Sequence, residues 1–256
     1  VSVALIIQAF FFGDGGILAI GANVFNMAIA MPLVGYWLYQ TISGNAAITS
    51  SRRIVAATIA GYIALNIGAL LTAIELGIQP MLFRDAAGHA LYFPYSLDIA
   101  LPAMMIGHVT IAGAVEAIAT AFVLAWMQRS APEMLQLSAN TQSPSNAGGL
   151  SRWAWIALIA LVVLTPMGLL TPGTAWGEWG RDELDQLGLG YIPSGFDQWS
   201  TLWSAPVPDY DIPFLNNPTV AYILSAILGV ILVLGMVSVL MWIVGKLTHR
   251  THPQTT

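Results

Sequence analysis

Apolar residues run along this chain in long unbroken stretches, not in the alternation of a half-buried sheet. About 20 apolar residues cross the roughly 30 Å of a bilayer's hydrocarbon. Five stretches reach that length, at 18–42, 54–76, 97–127, 153–171 and 219–246. A sixth, VSVALIIQAFFF at 1–12, would rise only about 18 Å as a helix. It lacks an initiator Met and a basic leader, so the expectation is a helix cut in the middle, with the N-terminal part of the protein missing, and not a signal peptide. The pattern predicts an all-α integral membrane protein: a polytopic helical bundle of five full transmembrane helices plus one truncated helix at the N-terminus.

Between the third and fourth spans lies QRSAPEMLQLSANTQSPSNAGGLSR, residues 128–152. It has no apolar period and is rich in Ser, Asn, Gln, Pro and Gly, which predicts a flexible linker. The chain therefore divides into a transmembrane domain over 1–127, a linker over 128–152, and a hairpin over 153–256 built around the long loop 172–218. No internal repeat is evident.

Composition supports the membrane reading. Of the 256 residues, 57% are hydrophobic and 8% charged, whereas a soluble domain carries about 25% charge. No basic patch suits a nucleic acid. Cysteine is absent, so disulfides and thiolate metal sites are excluded, and a transition metal would need imidazole, amine, amide or carboxylate ligands. The basic residues set the orientation. Arg52, Arg53, Arg129, Arg152, Lys246 and Arg250 share one side, the cytoplasmic one, and only Arg84 and Arg181 fall on the other. Most acids run the opposite way: Asp14, Glu75, Asp85, Asp98 and seven more in 172–218. The C-terminus is thus expected in the cytoplasm and the GDGG turn at the external face.

Polar residues inside such spans are costly and need partners. Asn23 and Asn26 stand at i and i+3 on one helix face, as interhelical glue or as the polar wall of a cavity. Asp14 in GDGG suits a turn as well as a site. Thr58, Tyr62 and Asn66 form a stripe suited to a packing seam. On GHVTIAGAVEAIATA, residues 107–121, Glu116 lies roughly 12 Å deeper than His108 and about 80° around the axis, too far to pair. His108 reads as a structural histidine or a cavity group. Glu116 requires a partner or a proton, and Ala112, Gly113 and Ala117 around it admit a close neighbour. His89 falls in an external loop, and His249 and His252 in a basic tail. Loop 172–218 carries Trp176, Trp179, Trp199 and Trp203 among its acids, which fits a surface-lying lid that attracts cations or an interfacial loop with no ligand.

LIIQAFFFGDGGILAIGANVFNMA followed by GHVTIAGAVEAIATAFVLA resembles the substrate-capture subunit of cobalt/nickel energy-coupling-factor (ECF) transporters, the CbiM/NikM family. That resemblance covers about 1–127. The remainder, around LLTPGTAWGEWGRDEL and GYIPSGF, is similar to the small accessory N component, fused here through the linker. The resemblance implies a non-enzymatic component of an ATP-driven importer in the plasma membrane of a prokaryote. It would take Ni²⁺ or Co²⁺ as transported substrate, need no organic cofactor, and work with a transmembrane coupling (T) subunit and two cytoplasmic ATPases. Family members bind the metal with a Met-His terminus and a further early histidine. No metal ligand is therefore assigned here, because the direct ligands are expected in the missing N-terminal segment. Asn23, Asn26, His108, Glu116 and Asp14 are then candidates for the cavity wall or for groups supporting the ligands. The competing reading is a non-transport scaffold subunit whose external loop docks a partner protein. An intramembrane enzyme finds no nucleophile–base spacing.

Overall fold

The computed structural model describes residues 1–130, 132, 135, 152–170 and 173–250. Most of the linker 128–152 therefore lies outside the described residues, as does His252. The described chain is largely helical, with no strand beyond one isolated bridge between Arg84 and Ala90. In chain order the helices are α1 (Ser2–Phe12), α2 (Ile20–Ser43), α3 (Ser51–Leu82), α4 (Leu97–Ser130) and α5 (Trp155–Leu170). They are followed by α6 (Arg181–Gln186), α7 (Ser194–Ser200) and α8 (Pro218–Arg250).

Four helices, α2, α3, α4 and the α8 stretch Pro218–Leu247, are long and apolar enough to cross a membrane. The stretch expected to span at 153–171 forms the shorter α5, whose last part, Thr165–Leu170, winds as a 3₁₀ helix around Pro166. Proline removes a helical donor and clashes with the preceding turn, so the apolar run continues in the sequence while the α-helix does not.

The described residues fall into two compact units. One takes in those within 21–149 and 174–199. Its centre is α3, whose buried positions are nearly all small: Ala56, Ala60, Ala64, Gly68, Ala69, Ala73 and Gly77. Spacings of four put them in rows that let α2 and α4 approach the α3 backbone. A methyl placed on Gly68 would stand 2.6 Å from Met31 Sδ of α2, and one on Gly77 2.9 Å from Leu97 Cα of α4. Lipid cannot drive helices together by the hydrophobic effect, so close contact of this kind is what holds the bundle. The connection between α3 and α4 closes as a short hairpin: Leu91 donates to the Phe83 carbonyl at 3.0 Å, and Asp85 Oδ1 accepts from the Ala87 and His89 amides at 2.9 and 2.8 Å. Residues 174–199 lie against it. Trp179 stacks on Phe93 at 5.7 Å, Trp176 on Tyr95 at 6.2 Å, and Tyr191 on His89 at 4.3 Å.

The second unit holds the described residues within 1–20, 150–173 and 200–256. Here α1 packs on α8, with Phe12 stacked on Tyr210 at 4.9 Å and the Trp203 indole donating to the Phe10 carbonyl at 2.7 Å.

A candidate polar site in the membrane bundle

Three helices widen from the α pattern to the i→i+5 pattern, over Gln8–Phe12, Val24–Ala30 and His108–Ala112. Such widened turns concentrate at functional sites because they displace a side chain and loosen the backbone ladder. Each carries a polar residue into an apolar setting: Gln8, Asn26 and His108.

Asn26 is the most buried of these, 1% exposed. Its Nδ2 donates to Glu75 Oε2 at 2.7 Å and to Thr72 Oγ1 at 3.1 Å. Thr72 in turn donates to the Gly68 carbonyl at 3.1 Å, which leaves its oxygen free to accept. The Thr72 proton is committed to Gly68, so the Asn26 group facing Thr72 must be the donating nitrogen, which fixes the orientation of the amide. The consequence is that Asn26 Oδ1 is buried without a hydrogen-bond partner among the described residues. A buried acceptor left unsatisfied costs about 1–3 kcal/mol. Gln79, one turn on, donates to the Glu75 carbonyl at 3.1 Å and accepts from the Phe93 amide at 3.2 Å. The cluster is thereby tied to the connection between α3 and α4.

The other expected site residues are spread out. Asn23 is half-buried one turn before Asn26. His108 Nδ1 lies 2.7 Å from the Met104 carbonyl, a bond within its own helix. Glu116 accepts from Thr120 Oγ1 at 3.0 Å and borders a cleft of about 480 Å³ that Tyr39, Ala57, Leu124 and Met127 also line. The stripe on α3 folds back on itself or packs: Thr58 donates to the Ile54 carbonyl, Asn66 to the Tyr62 carbonyl, and Tyr62 reaches Val109 of α4. Among the described residues no three His, Asp or Glu side chains gather as a metal cluster.

Asp14 belongs to the unit containing α8. It sits in a tight turn whose Gly13, Gly15 and Gly16 have φ of +74°, +72° and +67°, the left-handed region glycine enters freely. Its carboxylate accepts from Gln8 Nε2 at 2.5 Å and from the Tyr210 hydroxyl. Burial, and then the bond to Asp14, push the Tyr210 pKa well above its ordinary value. Asp209 and Tyr210 are themselves left-handed, at φ +53° and +59°, a conformation costing L-residues roughly 1–2 kcal/mol each. The Tyr210 carbonyl is held by Ser225 Oγ at 2.9 Å.

Two partners escaped the sequence reading. Glu75 counted there only as an external acid, although a carboxylate within the last two turns of a long apolar helix is itself a signal. Tyr210 bonds Asp14 across 196 positions, and no local pattern announces such a contact.

Residues 1–134 match the family described as the cobalt uptake substrate-specific transmembrane region, CbiM. The chain belongs to the CbiM family. Residues 150–246 match the PDGLE domain. The chain is 47% identical over 249 residues to the fused nickel transport protein NikMN of Rhodobacter capsulatus, covering 92% of this chain and 71% of that protein. It is 41% identical over 241 residues to a protein of Lactiplantibacillus plantarum named probable fused nickel transport protein LarMN, covering 92% of this chain and 69% of that one. A crystal structure of a transition metal transporter shares 45% identity at a TM-score of 0.49, covering 56% of this chain and 62% of that one.

Proposed function

We propose that this CbiM-family chain is the substrate-capture component of an ATP-driven ECF-type importer of Ni²⁺ or Co²⁺. In this reading residues 1–127 form the capture domain, with 128–152 the cytoplasmic linker and 153–256 an N-type accessory hairpin. The observation that supports it is the order of matches along one chain, CbiM over 1–134 and PDGLE over 150–246, shared across nearly the whole length with a protein named as a fused nickel transporter. The reading assigns no catalysis to the chain and no organic cofactor. Its partners are a transmembrane coupling subunit and two cytoplasmic ATPases, in a prokaryotic cell membrane with five full spans and the C-terminus inside.

A bare divalent ion cannot enter hydrocarbon, because its lost hydration is worth far more than any single contact returns. A capture subunit must therefore surround the ion with fixed polar groups. In this reading Asn23, Asn26, His108, Glu116 and Asp14 stay candidates, each for a cavity wall or for a group that supports the ligands. The bare Oδ1 of Asn26, beside the Glu75 carboxylate, suits the hydrogens of whatever grips the ion: a group that accepts from a ligand's N–H or O–H orients it and raises its basicity.

The experiment is uptake of radioactive ⁶³Ni²⁺ and ⁵⁷Co²⁺ by cells expressing the gene with its coupling and ATPase genes. ATP-dependent accumulation of either ion above vector-only cells is the expected result. No accumulation with all subunits present in the membrane overturns the reading.

A further inference from the structure

We infer that the Glu116 cleft on the α3–α4 face of the bundle is a docking groove for a membrane-spanning helix of another polypeptide that carries an Arg or Lys at the depth of Glu116. This goes beyond the metal-uptake reading and does not depend on it.

The carboxylate lies inside α4, 19 residues from Leu97 and 14 from Ser130, roughly 20 Å from the inner end of the helix. Among the described residues its one partner is the Thr120 hydroxyl. That bond brings no opposite charge, and a carboxyl group at such depth calls for a partner. Among the described residues no cation pairs with Glu116, although Arg53 comes near enough to bond Tyr39, a wall of the same cleft. Arg52 Nε donates to the Ile42 carbonyl, Arg53 donates to the Ala46 carbonyl and the Tyr39 hydroxyl, Arg84 donates to the Gly88 carbonyl, and Arg181 pairs with Asp197. Arg129 stands 13 positions further along α4, about 20 Å away by helical rise.

The cleft also has the shape for an incoming side chain. Gly61 makes the room: a methyl there would stand 3.2 Å from Thr120 Oγ1 and 3.4 Å from Glu116 Oε1. The remaining walls include Ala57, Val123 and Leu124, which suit the hydrocarbon stem of an Arg or Lys whose charged head meets the carboxylate. They do not suit a metal ion, which needs several oxygen or nitrogen ligands to replace its water. The flanking lipid-facing positions Val115, Ile118 and Phe122 are 61%, 71% and 72% exposed, so a helix can reach the groove from the bilayer.

The absence of cysteine makes a single introduced label unique. The full chain carrying Ala86→Cys, labelled in its exposed outer loop, is reconstituted into phosphatidylcholine vesicles with a designed Leu/Ala helix. That helix bears one central Arg, Leu or Glu, and association is read by resonance energy transfer. The wild-type chain should associate with the Arg helix about fivefold more strongly than with the Leu helix, or better. Glu116→Gln should abolish that preference, while Thr110→Val, on the same helix but outside the cleft, keeps it. Thermal unfolding verifies that each variant is folded. If Glu116→Gln does not fold, Glu116→Asp substitutes for it and should shrink the preference. Equal association of Arg and Leu helices overturns the inference. So does a preference that survives Glu116→Gln, or a Glu helix binding as well as the Arg helix, which would mark a shared-proton contact.

Discussion

Gly113 and Gly107 stand six residues apart on α4, and the same replacement should move stability in opposite directions at the two. At Gly113 a methyl would stand 2.6 and 2.8 Å from Tyr62 ring carbons and 2.7 Å from the His108 carbonyl oxygen. The ring cannot swing away freely, because its hydroxyl donates to the Val109 carbonyl at 2.9 Å. Overpacking of this kind costs about 1–3 kcal/mol, and losing the tyrosine bond costs about 1 kcal/mol more. Against this, alanine is about 1 kcal/mol better than glycine in a helix interior. Gly113→Ala should therefore lose about 2 kcal/mol net, the clash outweighing the propensity. Gly107 has nothing within 4 Å of the position a methyl would take, so only the propensity remains, and Gly107→Ala should gain about 1 kcal/mol. For a chain of this size each kcal/mol moves the midpoint by about 2–4 °C. Thermal unfolding of the purified chain in detergent, followed by tryptophan fluorescence, should put Gly113→Ala about 4–8 °C below wild type and Gly107→Ala about 2–4 °C above. A Gly113→Ala midpoint at or above wild type would refute the packing argument, as would shifts of the same sign at both positions.

Other outcomes follow from the polar contacts. Tyr210 has its pKa raised in the fold, so its neutral form is favoured there. Its contribution is complete below about pH 10 and is lost as pH rises beyond that value. Tyr210→Phe should lower the unfolding midpoint at neutral pH and flatten its alkaline decline; an unchanged alkaline decline would assign it to another group. In Asp85, desolvation works against the charge, but the His89 and Ala87 amides outweigh it and hold the carboxyl below its ordinary range. That stabilisation is present above about pH 4 and fades as pH falls through the folded pKa. Hydrogen exchange at the Ala87 and His89 amides should accelerate below about pH 4, and Asp85→Asn should remove this acid dependence; a variant that keeps it places the titration elsewhere. Glu75→Gln should lower ⁶³Ni²⁺ or ⁵⁷Co²⁺ accumulation at unchanged membrane abundance, whereas wild-type uptake would return the Asn26–Glu75 contact to a purely structural role.

Much of this molecule was legible in the order of its residues. Hydrocarbon thickness imposes a minimum apolar length, so the long helices α2, α3, α4 and α8 could be placed from composition alone, within a few residues. Local chemistry was equally readable: GDGG announces a turn because glycine enters left-handed positions without the cost other residues bear. The apolar stretch expected at 153–171 is helical as far as Leu170, but its last turns wind as a 3₁₀ helix, because apolar content reports solubility in lipid while Pro166 governs where the α-helix stops. Contacts between distant segments were beyond reach. Nothing near Asn26 in the chain points to Glu75, and nothing near Asp14 points to Tyr210, because a side chain's partner is chosen by how helices pack. The same holds for the Asn26 oxygen, bare among the described residues, and for Glu116, which meets the Thr120 hydroxyl and no cation there. Residue type establishes that each group wants a partner; only the tertiary arrangement decides whether it has one.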